Sequence, residues 1–257
     1  MTITPEQVTH FHSFGFLILK QAFTNEEMSA VSREFDDMLT KDRQGAPFPG
    51  VKRQSLYGIV ERSALFTRIA EDDRIYGTME ALYGPNFVWL CSEGNLYVGD
   101  TPWHPDGTRL SAPPMKVSLY LDPLTKDTGC LRVIPGSHRP PFHDDIRTFA
   151  ESGAAGPDFP CLPFESQPGD VLFANMNLWH AAFGGWVGRR HLAFNFFPEP
   201  TEEEHLTMMK DNYNGLFSGI KQLQYSQPDR VFTHEFLYSE RPRIRRMSAK
   251  WAEMGLR

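Results

Sequence analysis

Two side chains that can bind a metal lie two residues apart in the segment PWHPDG, which begins at Pro102. If the segment is extended, His104 and Asp106 point to one side of the chain and Pro105 points to the other. Two histidines and one carboxylate are the protein ligands of many non-haem iron(II) sites, so this pair can be two thirds of such a site. A His/Asp pair alone is far more often part of a hydrogen-bonded turn than a pair of metal ligands. A metal site therefore requires a third ligand from elsewhere in the chain.

The best candidate for the third ligand is His180, which ends the run GDVLFANMNLWH. This run starts at a Gly-Asp turn and is rich in apolar residues, so it predicts a strand. A lone histidine at a strand end is usually a core residue. The combination of the earlier His104/Asp106 pair with this histidine in a β-rich sequence favours a metal site made by all three.

An arginine begins the next predicted strand, GRRHLAFNFF. On a strand, Arg189 shares a polar face with His191 and Asn195, whereas Arg190 lies on the opposite, apolar face. The polar face suits a substrate cavity, and a guanidinium there can bind a carboxylate through two parallel hydrogen bonds. Alternation therefore favours Arg189 as a cofactor-binding residue. Arg190 stays open as the alternative, and a solvent-exposed strand edge is the interpretation in which neither arginine binds a ligand.

A second polar strand face is predicted in the segment MKVSLY, where Lys116, Ser118 and Tyr120 alternate with apolar residues. This face either lines the cavity beside a cofactor or is exposed on the surface of a sheet. In the first alternative, Lys116 and Ser118 are cofactor-binding residues.

The elements that must position these residues fall into three parts of one predicted domain, 1–257. Residues 1–85 are predicted to be mostly helical, with two capping-box patterns. Residues 86–198 contain short apolar runs separated by Gly, Pro and Asp, which predicts antiparallel strands. Residues 199–257 are predicted to be a helical and loop-like tail. The expected fold is mainly β with flanking helices, around a jelly-roll core of the double-stranded β-helix type found in cupins.

Composition excludes several other classes of protein. A net charge of −6 argues against nucleic acid as a partner. The three cysteines are far apart and form no CxxC pair, so the sequence predicts neither a disulfide framework nor a zinc-thiolate site. There is no secretory signal and no run of 18 apolar residues, so we expect a cytoplasmic protein with no membrane partner. A small-molecule substrate is the expected partner, and the C-terminal segment RRMSAKWAEMGLR suggests a homodimer or docking on the chain's own core.

Four segments in order, WHPDG, TGCLRVIPGSHR, GDVLFANMNLWHA and GRRHLAFNFF, resemble the phytanoyl-CoA dioxygenase family of iron(II)- and 2-oxoglutarate-dependent oxygenases. The resemblance implies that His104, Asp106 and His180 bind iron(II). It also implies that an arginine binds the distal carboxylate of 2-oxoglutarate. The sequence spacing between His180 and this arginine is slightly shorter than expected for the family, so Arg189 and Arg190 both stay open for that role.

The resemblance covers residues 5–200 in layout and implies a reaction. O2 is the cosubstrate, 2-oxoglutarate is decarboxylated to succinate and CO2, and an unactivated C–H bond of the substrate is oxidised. A carboxylate at position 106 leaves no vacancy for a halide ligand, which favours hydroxylation or desaturation over halogenation. Two alternatives remain: a zinc or manganese cupin-like hydrolase or isomerase with the same three ligands, and a β-sandwich binding module without a metal.

Overall fold

The computed structural model describes residues 3–107, 113–153, 156–226 and 230–256. Within these ranges the chain forms ten strands and eight α-helices. The strands make two antiparallel sheets, one of six strands and one of four.

The N-terminal part is mainly helical, as the sequence predicts. It contains α1 (Pro5–Phe14), β1 (Phe16–Leu19) and α2 (Asn25–Asp42). Both helices begin with the predicted capping box, in which Thr4 or Thr24 accepts a hydrogen bond from the backbone N–H three residues later and the side chain there accepts one in return. Next come β2 (Gln54–Tyr57), a short 3-10 helix (Val60–Arg62), α3 (Ala64–Ala70) and α4 (Tyr76–Tyr83).

The predicted β-rich part contains the remaining strands. In chain order the elements are β3 (Val88–Tyr97), β4 (Thr101–His104), β5 (Met115–Tyr120), β6 (Leu131–Val133), α5 (Phe142–Glu151), β7 (Leu162–Phe164), β8 (Val171–Asn175), β9 (His180–Ala182) and β10 (Arg189–Phe197). The larger sheet has the order β1-β8-β5-β10-β3-β2, and the smaller has the order β4-β9-β6-β7. Two facing antiparallel sheets with helices outside confirm the predicted jelly-roll fold.

The main core lies between the larger sheet and the helices. Trp89 on β3 and Phe194 and Phe196 on β10 are fully buried there. A smaller apolar cluster, which includes Tyr120, Phe164 and Leu172, lies between the two sheets. Since strand residues alternate between faces, packing one face of the larger sheet against the helices leaves the other face free to line a cavity.

The C-terminal part contains α6 (Glu203–Leu223), α7 (His234–Leu237) and α8 (Pro242–Glu253). Trp251 of α8 is fully buried, and its indole N–H donates to the backbone carbonyl of Trp89. The tail is therefore helical and packs on the chain's own core. Among the described residues, no helix has the length and apolar character needed to cross a membrane. The division into a single domain stays a prediction.

Candidate active site

The three predicted metal ligands lie together between the sheets. His104 ends β4 and His180 begins β9, and the two residues are paired across the smaller sheet. Asp106 follows β4 directly. Its Oδ1 lies 3.8 Å from His104 Nε2, and its Oδ2 lies 3.6 Å from His180 Nε2. One potential ligand atom from each of the three side chains lies within 4.8 Å of the other two, which is close enough for all three to bind one ion.

Backbone carbonyls orient both imidazole rings. His104 Nδ1 lies 2.8 Å from the carbonyl oxygen of Pro102, and His180 Nδ1 lies 2.9 Å from that of Leu178. A carbonyl can only accept, so each Nδ1 carries a proton, which leaves Nε2 as the nitrogen that can bind a metal. Burial lowers the pKa of His180 to about 4, although the nearby carboxylate of Asp106 acts to raise it. This ring is therefore neutral at pH 7. Neutral rings fixed through Nδ1 are typical of metal-binding histidines.

Asp106 takes part in an ion pair with Lys116, and the two side chains are 22% and 17% exposed. The lysine Nζ lies 2.8 Å from Asp106 Oδ2 and 3.4 Å from Glu93 Oε1. Burial acts to raise the pKa of Asp106, but Lys116 and His180 outweigh it and hold that pKa well below its usual value. Burial likewise acts to lower the pKa of Lys116, but Asp106 and Glu93 hold it well above its usual value. Both groups are therefore charged.

Of the two candidate arginines, the structure places Arg189 in the cavity. Arg189 is 3% exposed, its Nη2 donates to the carbonyl of Gly99 at 2.8 Å, and its buried Nη1 has no hydrogen-bond partner in the part of the chain that the structure describes. Arg190 points to the other face, where its guanidinium pairs with Asp36 at 2.9 Å and Asp122 at 2.7 Å. Two carboxylates outside the cavity thus engage Arg190, which favours Arg189 as the cofactor-binding arginine; the assignment stays a prediction.

The cavity that contains these groups has a volume of about 250 Å³. Both predicted polar strand faces line it, with Ser118 and Tyr120 from β5 and His191 and Asn195 from β10. His191 Nε2 and Ser118 Oγ are hydrogen-bonded at 3.0 Å. Burial, with a further contribution from Lys116, lowers the pKa of His191 to about 3, so the ring is neutral.

Sequence reasoning missed the contribution of β3 to the cavity. Glu93 and Tyr97 line the cavity, and Asn95 between them is buried and donates to Glu93 Oε2 at 3.1 Å. The sequence contained a signal for them, since these three residues alternate with apolar or small ones in the same way as the polar residues of β5. Asn212 of α6 also lines the cavity, and no local pattern predicts that contact.

A jelly roll with a His/Asp/His cluster between its sheets is an arrangement typical of metal-dependent oxygenases. The sequence profile of the phytanoyl-CoA dioxygenase (PhyH) family matches residues 11–185, and the chain therefore belongs to this family. Its relatives include dioxygenase sphC of Aspergillus fumigatus, 25% identical over 206 residues that cover 68% of this chain and 53% of that protein. Ectoine dioxygenase of Bordetella bronchiseptica is 23% identical over 154 residues, which cover 53% of this chain and 50% of that protein. The aligned part thus spans about half the length of these relatives.

Solved structures with the same fold include two proteins crystallised with a metal. HygX from Streptomyces hygroscopicus, with nickel and 2-oxoglutarate bound, gives a TM-score of 0.66 at 23% identity and covers 79% of this chain and 90% of that one. EctD from S. alaskensis, with bound Fe, gives a TM-score of 0.61 at 21% identity and covers 76% of this chain and 77% of that one. At these identities the similarity establishes the fold.

Proposed function

We propose that the protein is an iron(II)- and 2-oxoglutarate-dependent dioxygenase that oxidises an unactivated C–H bond of a small organic substrate. The observation that carries this proposal is the arrangement of His104, Asp106 and His180 in the same cavity as the buried guanidinium of Arg189, whose Nη1 has no hydrogen-bond partner among the described residues. Family membership supports it, as do the ectoine dioxygenase relatives and the HygX structure with nickel and 2-oxoglutarate bound.

The donor set fits a ferrous ion. His104 and His180 each engage a backbone carbonyl through Nδ1 and leave Nε2 as the possible ligand atom, and Asp106 offers an ionised carboxylate. Two imidazoles and one carboxylate leave open positions for a chelating cosubstrate and for O2. Bound iron and 2-oxoglutarate supply the oxidising chemistry, with succinate and CO2 as products, while the protein provides binding and orientation. The carboxylate of Asp106 occupies the position that a halide would need, so we propose hydroxylation or desaturation.

The cavity also fits the distal carboxylate of 2-oxoglutarate. A buried cation with an unpartnered N–H is unfavourable unless an anion joins it, and the planar guanidinium of Arg189 suits a carboxylate. Ser118, on the same cavity wall, has a hydroxyl beside His191 that can hydrogen-bond a cofactor oxygen. We assign the cofactor contacts to Arg189 and Ser118. Lys116, predicted from the sequence to bind the cofactor as well, is instead engaged by Asp106 and Glu93.

The substrate that fits this cavity is a small polar molecule. Asn195 donates its Nδ2 to Glu93 Oε1 at 3.3 Å, and a carboxylate can only accept, so this contact fixes the orientation of the amide. Its buried Oδ1 then has no donor among the described residues. A hydroxyl or amine of the substrate would satisfy this acceptor, which an acyl chain cannot do.

The test is anaerobic addition of Fe(II) and 2-oxoglutarate to the metal-free protein. We expect the weak visible charge-transfer band of the chelated complex, followed in air by O2 uptake that depends on 2-oxoglutarate and yields succinate. Metal binding without this band or this O2 uptake would instead favour the cupin-like hydrolase or isomerase. Absence of any metal binding would favour a binding module.

A further inference from the structure

A lysine beside a proposed metal ligand creates an electrostatic conflict. Lys116 Nζ lies 2.8 Å from Asp106 Oδ2, and the lysine side chain is only 17% exposed, so water screens its charge poorly. A divalent metal that binds Asp106 has to share the carboxylate with this cation or displace it. Lys116 therefore needs a second anionic partner if Asp106 is to bind a metal.

Glu93 is in the correct position to be that partner. Its Oε1 lies 3.4 Å from Lys116 Nζ, and its side chain is 12% exposed. Asn195 donates to Oε1 at 3.3 Å and Asn95 donates to Oε2 at 3.1 Å, so two amides hold the carboxylate in place. Glu93 does not belong to the cluster of Asp106 and the two histidines.

We propose that Glu93 is a positioning residue for metal binding, which holds Lys116 so that Asp106 can bind a divalent ion. This inference rests on the proposed function, because it requires Asp106 to be a metal ligand. Glu93 acts through Lys116 and does not contact the metal. In the absence of metal the lysine is shared between the two carboxylates, and when metal binds it stays with Glu93.

If Glu93 acts by holding Lys116, the effect of its substitution on metal binding depends on Lys116. A purely structural role of Glu93 gives no such dependence. If Glu93 loses its charge, Lys116 has only Asp106 as an anionic partner and competes with the metal for it. The lost negative charge also weakens the attraction for the cation directly, but this smaller effect is the same with or without Lys116 and therefore cancels when the two backgrounds are compared. If Lys116 is replaced as well, the competitor is gone, and the loss of Glu93 has little further effect. The effect of Glu93→Gln must therefore depend on Lys116.

The experiment is a double-mutant cycle that measures Co(II) affinity through its visible absorption, without 2-oxoglutarate. The four proteins are the wild type, Glu93→Gln, Lys116→Met and the double variant. We expect Glu93→Gln to weaken Co(II) binding by roughly tenfold or more, as is typical when a partner of a metal ligand is lost. We expect the double variant to bind within about threefold of Lys116→Met, since independent effects would instead simply add.

The matched control is Glu71→Gln, which removes a glutamate that pairs with Arg241 and does not line the cavity, and it should leave Co(II) affinity unchanged. Thermal unfolding of each variant checks the fold. If Glu93→Gln does not fold, Glu93→Asp replaces it in the cycle, because it keeps the charge but withdraws the carboxylate, and we expect the same dependence on Lys116.

Two results would overturn the inference while leaving the proposed function intact. One is a wild type and a Glu93→Gln variant that bind Co(II) equally well. The other is a loss of Co(II) affinity on Glu93→Gln substitution that is equally large whether position 116 is Lys or Met. A wild type that binds no Co(II) would overturn both the inference and the proposed function.

Discussion

His104 and His180 face each other across two antiparallel strands, with ring centroids 4.4 Å apart, and each donates its Nδ1 proton to the carbonyl two residues before it. Both rings are thus oriented by their own strands. Because β4 and β9 are hydrogen-bonded neighbours in the smaller sheet, the two Nε2 atoms are held on the same side, next to Asp106. The fold therefore holds the three proposed metal ligands close together in the absence of a metal.

Replacing His180 with Gln should abolish tight metal binding. The variant loses one of three proposed ligands, so we expect Fe(II) affinity to fall by on the order of 100-fold or more, beyond the effect of losing a partner of a ligand. Anaerobic Fe(II) titration measures this. The matched control is His143→Gln, since His143 is a buried histidine whose Nδ1 likewise contacts a carbonyl, that of Ser137, but which lies outside the cluster. Equal affinity in the two variants would contradict the ligand assignment.

Replacing Arg189 with Met should weaken 2-oxoglutarate binding and leave Fe(II) binding in place. Hydrogen bonds to a charged group contribute about 1.5–3 kcal/mol, which corresponds to a loss of roughly 10- to 150-fold in affinity. Arg189→Lys should recover only part of it, because an ammonium cannot form the same two parallel hydrogen bonds. The absorbance of the Fe(II)-2-oxoglutarate complex measures the affinity.

Arg190→Met is the comparison for this prediction. Its ion pairs with Asp36 and Asp122 lie outside the cavity, so the variant should bind 2-oxoglutarate like the wild type and lose some stability to urea. If Arg190→Met loses 2-oxoglutarate and Arg189→Met retains it, the assignment of the two arginines is reversed.

Gly185→Ala should weaken 2-oxoglutarate binding without removing a charge. A Cβ at this position would lie 1.1 Å from Arg189 Nη1 and 2.5 Å from the carbonyl oxygen of Gly99, so the guanidinium must move. We expect roughly tenfold weaker binding, comparable to losing one charged hydrogen bond. In Gly77→Ala, within α4, the new Cβ meets only an ordinary contact with Asp73 at 3.9 Å, and affinity should not change. Equal affinities in both variants would show that the cofactor does not depend on this position of Arg189.

The sequence predicted those features that depend on local spacing. The capping boxes at Thr4 and Thr24 and the polar strand faces that contain Ser118 and Asn195 follow from neighbours within a few residues, and the structure confirms them. The helical character of the tail also follows from local sequence. These patterns are sufficient to predict a jelly roll with flanking helices and a polar cavity.

The features that sequence reasoning missed depend on distant partners. Alternation favoured Arg189, and further support for that assignment comes from ion pairs of Arg190 with Asp122 and Asp36, which are 68 and 154 positions away. Glu93 was overlooked for a related reason. Its importance comes from Lys116 on a strand that is not its neighbour, since β10 lies between β3 and β5.

Asp170 should give the protein a pH-dependent part of its stability. It occupies the Gly-Asp turn before β8 and accepts hydrogen bonds from Lys20 Nζ and the backbone N–H of Gln21, both at 2.8 Å, and from the N–H of Gln167 at 3.0 Å. Burial acts to raise its pKa, but Lys20 and the two backbone donors outweigh it, so the pKa in the folded protein lies below its usual value. The ionised form is therefore the one that stabilises the fold.

The direction of the pH dependence follows from this lowered pKa. The stabilisation is complete above the pKa of an unfolded aspartate, about 3.9, and is lost as the pH falls through the lower pKa of the folded state. Asp170→Asn should reduce the free energy of unfolding by about 1–3 kcal/mol at pH 7 and at pH 5. The difference from the wild type should shrink below about pH 4. Urea unfolding at several pH values measures it, and a difference that stays constant down to pH 3 would show that Asp170 acts through packing and not through its charge.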